Sequence, residues 1–403
     1  MERERLVVVG AGMAGLKLLD ELKSRCPGRY NVTVVGAEPE PAYNRVLLSS
    51  LLAGEATDED LALKERGWYG ANGYRLFTGA EAREIDRAGK RVTLRDGRVV
   101  AYDKLVLATG SEPIRLPLPG AHLPQVLTFR DRCDAMKMTA LVTPGARAVV
   151  IGGGLLGLEA AYGLIKLGCS VTVVHLADRL MDRQLDAAGA ATLKRALEAK
   201  GVAFALGAQS ETILGETRVE GLRLASGEVL PADMIIMACG VRPNSTLGRA
   251  CGLDAKRGLL VDDAMTTSDG HVFAIGECAE HRGVVYGLVA PAYEHAKTLA
   301  AHLAGEAEPY SGSLLSTNLK VSGVAVFSAG LTEAEGDCET VLLADPGHGH
   351  YRKFLIRDDR LVGAILVGEA SDALWYLDLI AKAETLGAMR DDLAFGRSFA
   401  MAA

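Results

Sequence analysis

Residues 148–168 read AVVIGGGLLGLEAAYGLIKLG, and residues 6–22 read LVVVGAGMAGLKLLDEL. Each stretch opens with four apolar residues, turns through glycines spaced G-x-G-x-x-G, and continues with the apolar spacing of a helix. In such a turn the first glycine (Gly10, Gly152) makes the tight bend. The second (Gly12, Gly154) lets a pyrophosphate approach the backbone, and the third (Gly15, Gly157) lets the helix pack close to the strand. The phosphates then sit at the helix N-terminus. A single match is weak evidence, because glycine bends between strands and helices are common. Two matches, each in strand–turn–helix context, predict two dinucleotide-binding units.

Both stretches belong to longer repeats. The first is followed by an apolar strand ending in KLVLATGSEP (104–113), the second by DMIIMACGVRPN (233–244). Strands alternating with amphipathic helices such as LKRALEAK (193–200) indicate parallel, doubly wound sheets. A third stretch, TSDGHVFAIGEC (267–278), runs an apolar strand into Gly276 and Glu277. It lies beyond both repeats, so the chain is expected to return to the first unit after completing the second. Glu277 is a candidate acceptor for a ribityl hydroxyl, with a strand-end acid in a turn as the bland alternative. Beyond Gly305 the pattern changes: VSGVAVFSAG, YRKFLIRDD and RLVGAILVGE alternate like antiparallel strands, and LWYLDLIAKAET reads as a helix. The expected fold is α/β, with two Rossmann-like domains, one inserted in the other, and a C-terminal α+β domain. The expected bounds are 1–114 with 241–308, then 115–240, then 309–403, with LPLPG (116–120) as an inter-domain linker.

At the end of the second strand of each unit, an acidic residue is expected to hold a ribose hydroxyl. VTVVGAE places Glu38 there in the first unit, whereas SVTVVH places His175 there in the second. His175 reads equally as a ribose contact or as a surface histidine. Arg179 and Arg183 lie nearby but are diluted by Asp178 and Asp182, so the residues favour NADH over NADPH without deciding between them. Two dinucleotide sites in one chain suggest a flavin facing a nicotinamide.

The bulk properties exclude several classes. A chain of 403 residues exceeds one ordinary core. Its formal charge of -7 and lack of a basic patch speak against nucleic acid. The longest apolar run, 148–158, is too short for a bilayer, and MERER leads straight into a strand, so the expectation is a cytoplasmic protein without a membrane partner. Seven scattered cysteines without C-x-x-C argue against a disulfide framework, a metal site or a chain-borne iron–sulfur cluster.

GAGMAG, PAYNRVLLS, ATGSEP, GGGLLGLEAA, CGVRPN and GEC occur in an order that resembles the FAD- and NAD(P)H-dependent pyridine nucleotide–disulfide oxidoreductase family, from Leu6 to about Glu384. Within it, AYNRVLLSSLLAGE, LMDRQLD, YGLVAP and LVGAILVGEASD resemble the N-terminal flavoprotein part of the NAD(P)H-dependent assimilatory nitrite reductase large subunits. The resemblance implies FAD contacts from Gly10, Gly12, Gly15, Glu38, Arg45, Ser49, Ala82, Thr109, Gly110, Arg130 and Glu277. It implies nicotinamide-cofactor contacts from Gly152, Gly154, Leu155, Leu156, Gly157, Glu159 and Gly240, with His175 beside them. The C-terminal part resembles the family's interface domain, which implies a homodimer among the expectations.

The departures narrow the activity. AYNRVLLSSLLAG has no cysteine where the family's disulfide reductases carry theirs, so a thiol relay is excluded. Cys26 reads as a buried apolar residue and Cys278 as structural. Ferredoxin reductases of the family often have a lysine where Ser50 stands, paired with the glutamate matching Glu159. Here Glu159 and Ser50 are the candidates near flavin and nicotinamide, and the partner of Glu159 is open. The full nitrite reductase subunit continues into iron–sulfur and sirohaem segments. The expectation is therefore an electron-transfer subunit, or part of a longer polypeptide, that does not reduce nitrite by itself. It would pass electrons from NAD(P)H through FAD to an iron–sulfur or haem protein, with nitrite or nitrate reductase as consumer. The alternatives are a ferredoxin or rubredoxin reductase with another consumer, and a flavin-bearing redox sensor.

Overall fold

The computed structural model describes residues 3–321 and 323–401. They form two compact units. One comprises Met1–Leu48, Ala56–Glu112 and Val241–Ser313, and the other Ser49–Glu55, Pro113–Gly240 and Leu314–Ala403.

The first unit is built on a five-stranded parallel sheet in the spatial order Val272–Ala274, Lys104–Leu107, Glu4–Val9, Tyr30–Val35 and Arg75–Phe77. The run Leu6–Val9 is continuously apolar because both faces of its sheet are covered. Leu6 and Val8 join a cluster with Leu18, Leu22, Phe273 and Leu299, supplied in part by helices Met13–Arg25 and Val289–Ala304. Val7 and Val9 join the opposite cluster with Leu105 and Leu107, closed by Val92 and Leu94 of a small antiparallel sheet. Each such fully buried side chain contributes about 1.5–3 kcal/mol of transfer free energy. Strand Val272–Ala274 adds to the edge of this sheet beside Lys104–Leu107, so the chain does return to the first unit late in the sequence.

The second unit repeats the scheme. Its parallel sheet runs Val202–Leu206, Ser170–His175, Arg147–Ile151, Met234–Met237 and Val126–Thr128. The duplication extends to a polar detail. In the first unit Arg5 donates to Asp103 from its backbone N–H at 2.8 Å and from Nη2 at 2.7 Å. In the second, Arg147 donates to Asp233 at the same two distances. Each pair staples the start of the central strand to the residue before its parallel neighbour, and each arginine holds its aspartate's carboxyl down at about 2.

The C-terminal part of the second unit is a five-stranded antiparallel sheet ordered Ser316–Val321, Val324–Gly330, Arg360–Gly368, His350–Arg357 and Glu339–Asp345. Helix Ala373–Lys382 covers one face, packing Tyr376 and Leu379 on Phe327, Phe354 and Leu366. A buried ionic cluster ties this sheet to helix Ala187–Glu198. One oxygen of Asp186 caps that helix by accepting from Gly189 N–H at 2.9 Å, and the other accepts from the Tyr351 hydroxyl and, at 2.9 Å, from Lys353 Nζ. Burial raises the carboxyl of Asp186, but the bonds from Tyr351 and Lys353 outweigh it and keep the carboxyl below its ordinary value.

Two expectations are corrected. The Pro/Gly-rich LPLPG is no linker: Leu116 and Leu118 pack on the cluster of Leu123, Val149 and Ile213, and Pro119 O accepts from Ile213 N–H at 2.9 Å. Its prolines shape a packed bend within the second unit, which this stretch of chain joins at Pro113. VSGVAVFSAG is also not one strand, since Val321 and Val324 face each other across a hairpin. A glycine at 323 with φ +79° makes that reversal accessible.

Candidate functional site

Within the first unit the glycine turn divides into two kinds of position. Gly10 has φ +121°, and a Cβ there would lie 2.0 Å from Ala108 O. A Cβ at Gly15 would lie 2.3 Å from Gly10 O. Both glycines are required by the chain's own packing. Gly12 is different. Its backbone (φ -86°, ψ -166°) suits any residue, and a Cβ there would meet no atom within 4 Å. Nothing in the fold asks for glycine at this position. A group docked on the turn would ask for it. Gly12 is also the N-cap of Met13–Arg25 and offers no side chain to the first-turn amides, which leaves that donor set suited to phosphate oxygens.

Around this turn lie most of the other candidates of the first unit. Glu38, just past strand Tyr30–Val35, accepts from the Tyr43 hydroxyl at 2.7 Å and from the Arg45 guanidinium, which stacks 4.9 Å from the Tyr43 ring. Thr109 donates to Asn244 O at 2.6 Å, and Gly110 turns the chain at φ +68°. Glu277 sits on the tight turn Gly276–Cys278 and accepts from the Ser111 hydroxyl at 2.7 Å. Gly276 has φ +75°, and its missing Cβ would lie 3.1 Å from the Cβ of Ala14, a residue of the GAGMAG turn. The acid-bearing turn and the glycine turn are thus in contact. Ala82 only opens strand Ala82–Asp86 and packs on the core beneath.

The second unit reproduces the turn. A Cβ at Gly152 (φ +127°) would lie 2.2 Å from Ala238 O, and one at Gly157 would lie 1.9 Å from Gly152 O. Gly154, with ordinary φ -82° and ψ -178°, would again meet nothing within 4 Å and caps helix Leu155–Lys166 without a side-chain bond. Leu155 and Leu156 form its first turn. Gly240 has φ +99°, and its carbonyl accepts from Ile114 N–H at 3.0 Å. His175 ends its strand with Nε2 3.2 Å from Asp182 Oδ1. Its ring fills the place of a side chain at Gly153, where a Cβ would lie 2.7 Å from it. The residue noticed from sequence as a diluent, Asp182, is therefore the histidine's partner. Arg130 begins the segment before helix Arg132–Leu141 and donates its N–H to buried Asp134 at 2.9 Å.

The open question about Glu159 has an answer in this unit. Its carboxylate accepts from the Ser49 hydroxyl, while the carbonyl of Ser50 accepts from Glu55 N–H at 2.8 Å. Among the described residues no lysine or arginine is paired with Glu159. Burial pushes its carboxyl up to about 7, against a smaller opposing effect of the Ser49 bond. A carboxyl poised there holds or releases a proton near neutral pH. Cys278 is fully buried and bonded to Leu107 O, and burial pushes the Cys239 thiol up to about 11. No described helix is long and apolar enough to cross a membrane.

Sequence reading missed Tyr43, Ser111, Gly153 and the role of Asp182. Tyr43 and Ser111 lie inside motifs that were noticed, PAYNR and TGSEP, but a hydroxyl's direction is not encoded in spacing.

Residues 4–298 match the family described as pyridine nucleotide-disulphide oxidoreductase, and residues 316–384 match the rubredoxin NAD+ reductase C-terminal domain. The chain is 46% identical over 383 residues to a nitrite reductase [NAD(P)H] of Bacillus subtilis, covering 95% of this chain and 48% of that protein. It is 42% identical to the assimilatory nitrate reductase electron transfer subunit of the same organism, covering 95% of this chain and 50% of that one. The chain thus spans about half the length of these curated relatives. Among solved structures, the covalent putidaredoxin reductase–putidaredoxin complex superposes with a TM-score of 0.87 at 28% identity, covering 96% of this chain and 95% of that one.

Proposed function

The chain belongs to the pyridine nucleotide-disulphide oxidoreductase family, and from that premise we propose that it is an FAD-containing NAD(P)H:acceptor oxidoreductase serving a nitrite or nitrate reductase. The observation that carries the proposal is the pair Gly12 and Gly154, glycines that the chain's own packing does not require. Gly12, with the amides of helix Met13–Arg25, would hold the FAD pyrophosphate. Glu38 and Arg45 would hold its adenosine ribose, and Glu277 its ribityl chain. Gly154 and the first turn of Leu155–Lys166 would hold the nicotinamide dinucleotide, with His175 and Asp182 at its ribose. In this reading, FAD supplies a ring that takes a hydride and gives up electrons singly. The protein's residues bind and orient, and Glu159 holds a proton near neutral pH. The flavin domain would comprise 1–114 and 241–308, the nicotinamide domain 115–240, and the interface domain 309–403. Cytoplasmic location and NADH preference belong to the same reading.

The consumer rests on the resemblance to the Bacillus subtilis proteins. A second reading, a ferredoxin-type reductase with another consumer, is favoured by the near-complete coverage of putidaredoxin reductase. Steady NADH turnover with ferricyanide, with negligible glutathione or nitrite reduction by this chain alone, is the expected activity. Regaining nitrite reduction only when an iron–sulfur sirohaem partner is added separates the two readings. One exposed cysteine proving essential while FAD stays bound would replace both with a thiol mechanism.

A further inference from the structure

His295 lies on helix Val289–Ala304 with none of its surface exposed. Its Nδ1 receives the backbone N–H of Gly276 at 3.2 Å. An amide N–H can only donate, so Nδ1 must carry no proton, and the proton of the neutral ring is on Nε2. Among the described residues Nε2 has no partner. The ring is boxed in by Tyr310 and Tyr286, with centroids 4.7 and 5.8 Å away and nearly perpendicular planes. His281, equally buried, lies beyond Tyr310 and is bonded to Asp263 at 2.8 Å. Burial, and then the neighbouring His281, pushes His295 down to about 4, so at neutral pH the ring stays uncharged and Nδ1 stays bare.

Gly276 opens the turn that carries Glu277, and its φ of +75° lets that turn touch Ala14 of the first glycine turn. We infer that His295 is a positioning residue: its bare Nδ1 holds the Gly276 amide and thereby aims the Glu277 carboxylate, with its Ser111 bond, at the flavin. The aim of that carboxylate rests on the proposed flavin site, whereas the His295–Gly276 bond does not. An apolar residue at 295 would leave a buried amide donor without an acceptor. An asparagine keeps an acceptor oxygen one bond beyond Cγ, where the histidine has Nδ1.

Two measurements test this. The first is the nitrogen chemical shifts of His295 in isotope-labelled holoprotein at pH 7. They should show Nε2 protonated and Nδ1 bare, and a protonated Nδ1 overturns the inference whether or not flavin is bound. The second is FAD retention on dilution, read by flavin fluorescence, for His295→Leu and His295→Asn variants whose circular dichroism matches the wild type. The leucine variant should release FAD on the order of tenfold more readily, and the asparagine variant should hold it nearly as the wild type does. Equal retention by all three overturns the positioning role. So does equal loss by both variants, which would mean that ring packing and not the acceptor matters. A wild-type protein that holds no FAD would refute the flavin site and the aiming role with it, and the shifts would still decide the bond.

Discussion

At the first glycine turn a Cβ on Gly10 would fall 2.0 Å from Ala108 O, and at the second a Cβ on Gly152 would fall 2.2 Å from Ala238 O. The staples Arg5–Asp103 and Arg147–Asp233 agree as closely. These features serve the backbone, and they are the same in both repeats. The repeats diverge at the end of the next strand. There Glu38 gathers Tyr43 and Arg45, whereas the ring of His175 meets Asp182. Residues that make the fold are kept in duplicate, and the residues at the end of the second strand differ.

The largest expected effect comes from breaking the symmetry at the two glycines that packing does not require. Gly12→Val should give a folded, colourless protein. Gly154→Val should give a folded, yellow protein whose kcat/KM for NADH falls at least about 100-fold. Gly10→Val should instead fail to fold, because its Cβ would overlap Ala108 O. Soluble yield, visible absorbance and steady-state kinetics read all three. Flavin loss from both Gly12→Val and Gly154→Val would show that the turns do not hold separate ligands.

Only the second repeat carries the buried Asp186–Lys353 lock, so its helix Ala187–Glu198 depends on the C-terminal sheet. Lys353→Met should leave a buried carboxylate with one donor fewer and cost about 3–5 kcal/mol. The urea midpoint of the C-terminal transition checks this, and an unchanged midpoint would mean that the lock adds nothing.

Glu159 offers a pH-dependent contrast, since it titrates in the second unit without a cationic partner among the described residues. Its carboxyl is raised from 4.5 to about 7 in the folded chain. Between those values the folded state holds more protons than the unfolded one, so this group's contribution to stability falls as pH rises through the window. Glu159→Gln should remove that dependence, with a gain over wild type of about 1–3 kcal/mol at pH 8 that is absent at pH 4. Urea titrations at the two pH values measure it. A smaller effect is expected at the strand end: Asp182→Asn removes a negative charge beside His175 and should improve kcat/KM for NADPH relative to NADH by about 3- to 10-fold. A ratio that favours NADPH in the wild type would turn attention to Arg179.

The parts that were legible in sequence were those governed by local sterics. Glycine spacing announced both turns, and strands alternating with amphipathic helices announced parallel, doubly wound sheets. What stayed hidden depends on residues far apart in the chain. The bond from Ser49 to Glu159 joins positions that no motif links, and the family resemblance pointed to Ser50. Strand Glu339–Asp345 escaped notice because it is an edge, largely exposed on both faces, and so lacks the alternation of a half-buried strand. LPLPG misled because prolines that shape a packed bend look, in sequence, like those of a linker. His295 gave no signal, since a buried histidine inside YEHAKTLAAHL reads as one more helical residue.

If one chain holds a flavin at its first turn and a nicotinamide at its second, the purified protein releases FAD on denaturation, identified by chromatography at one FAD per chain. The intact protein also loses its visible absorbance when NADH is added anaerobically. Finding FMN or no flavin after saturation with FAD, or a bound FAD that neither NADH nor NADPH bleaches, rules this arrangement out.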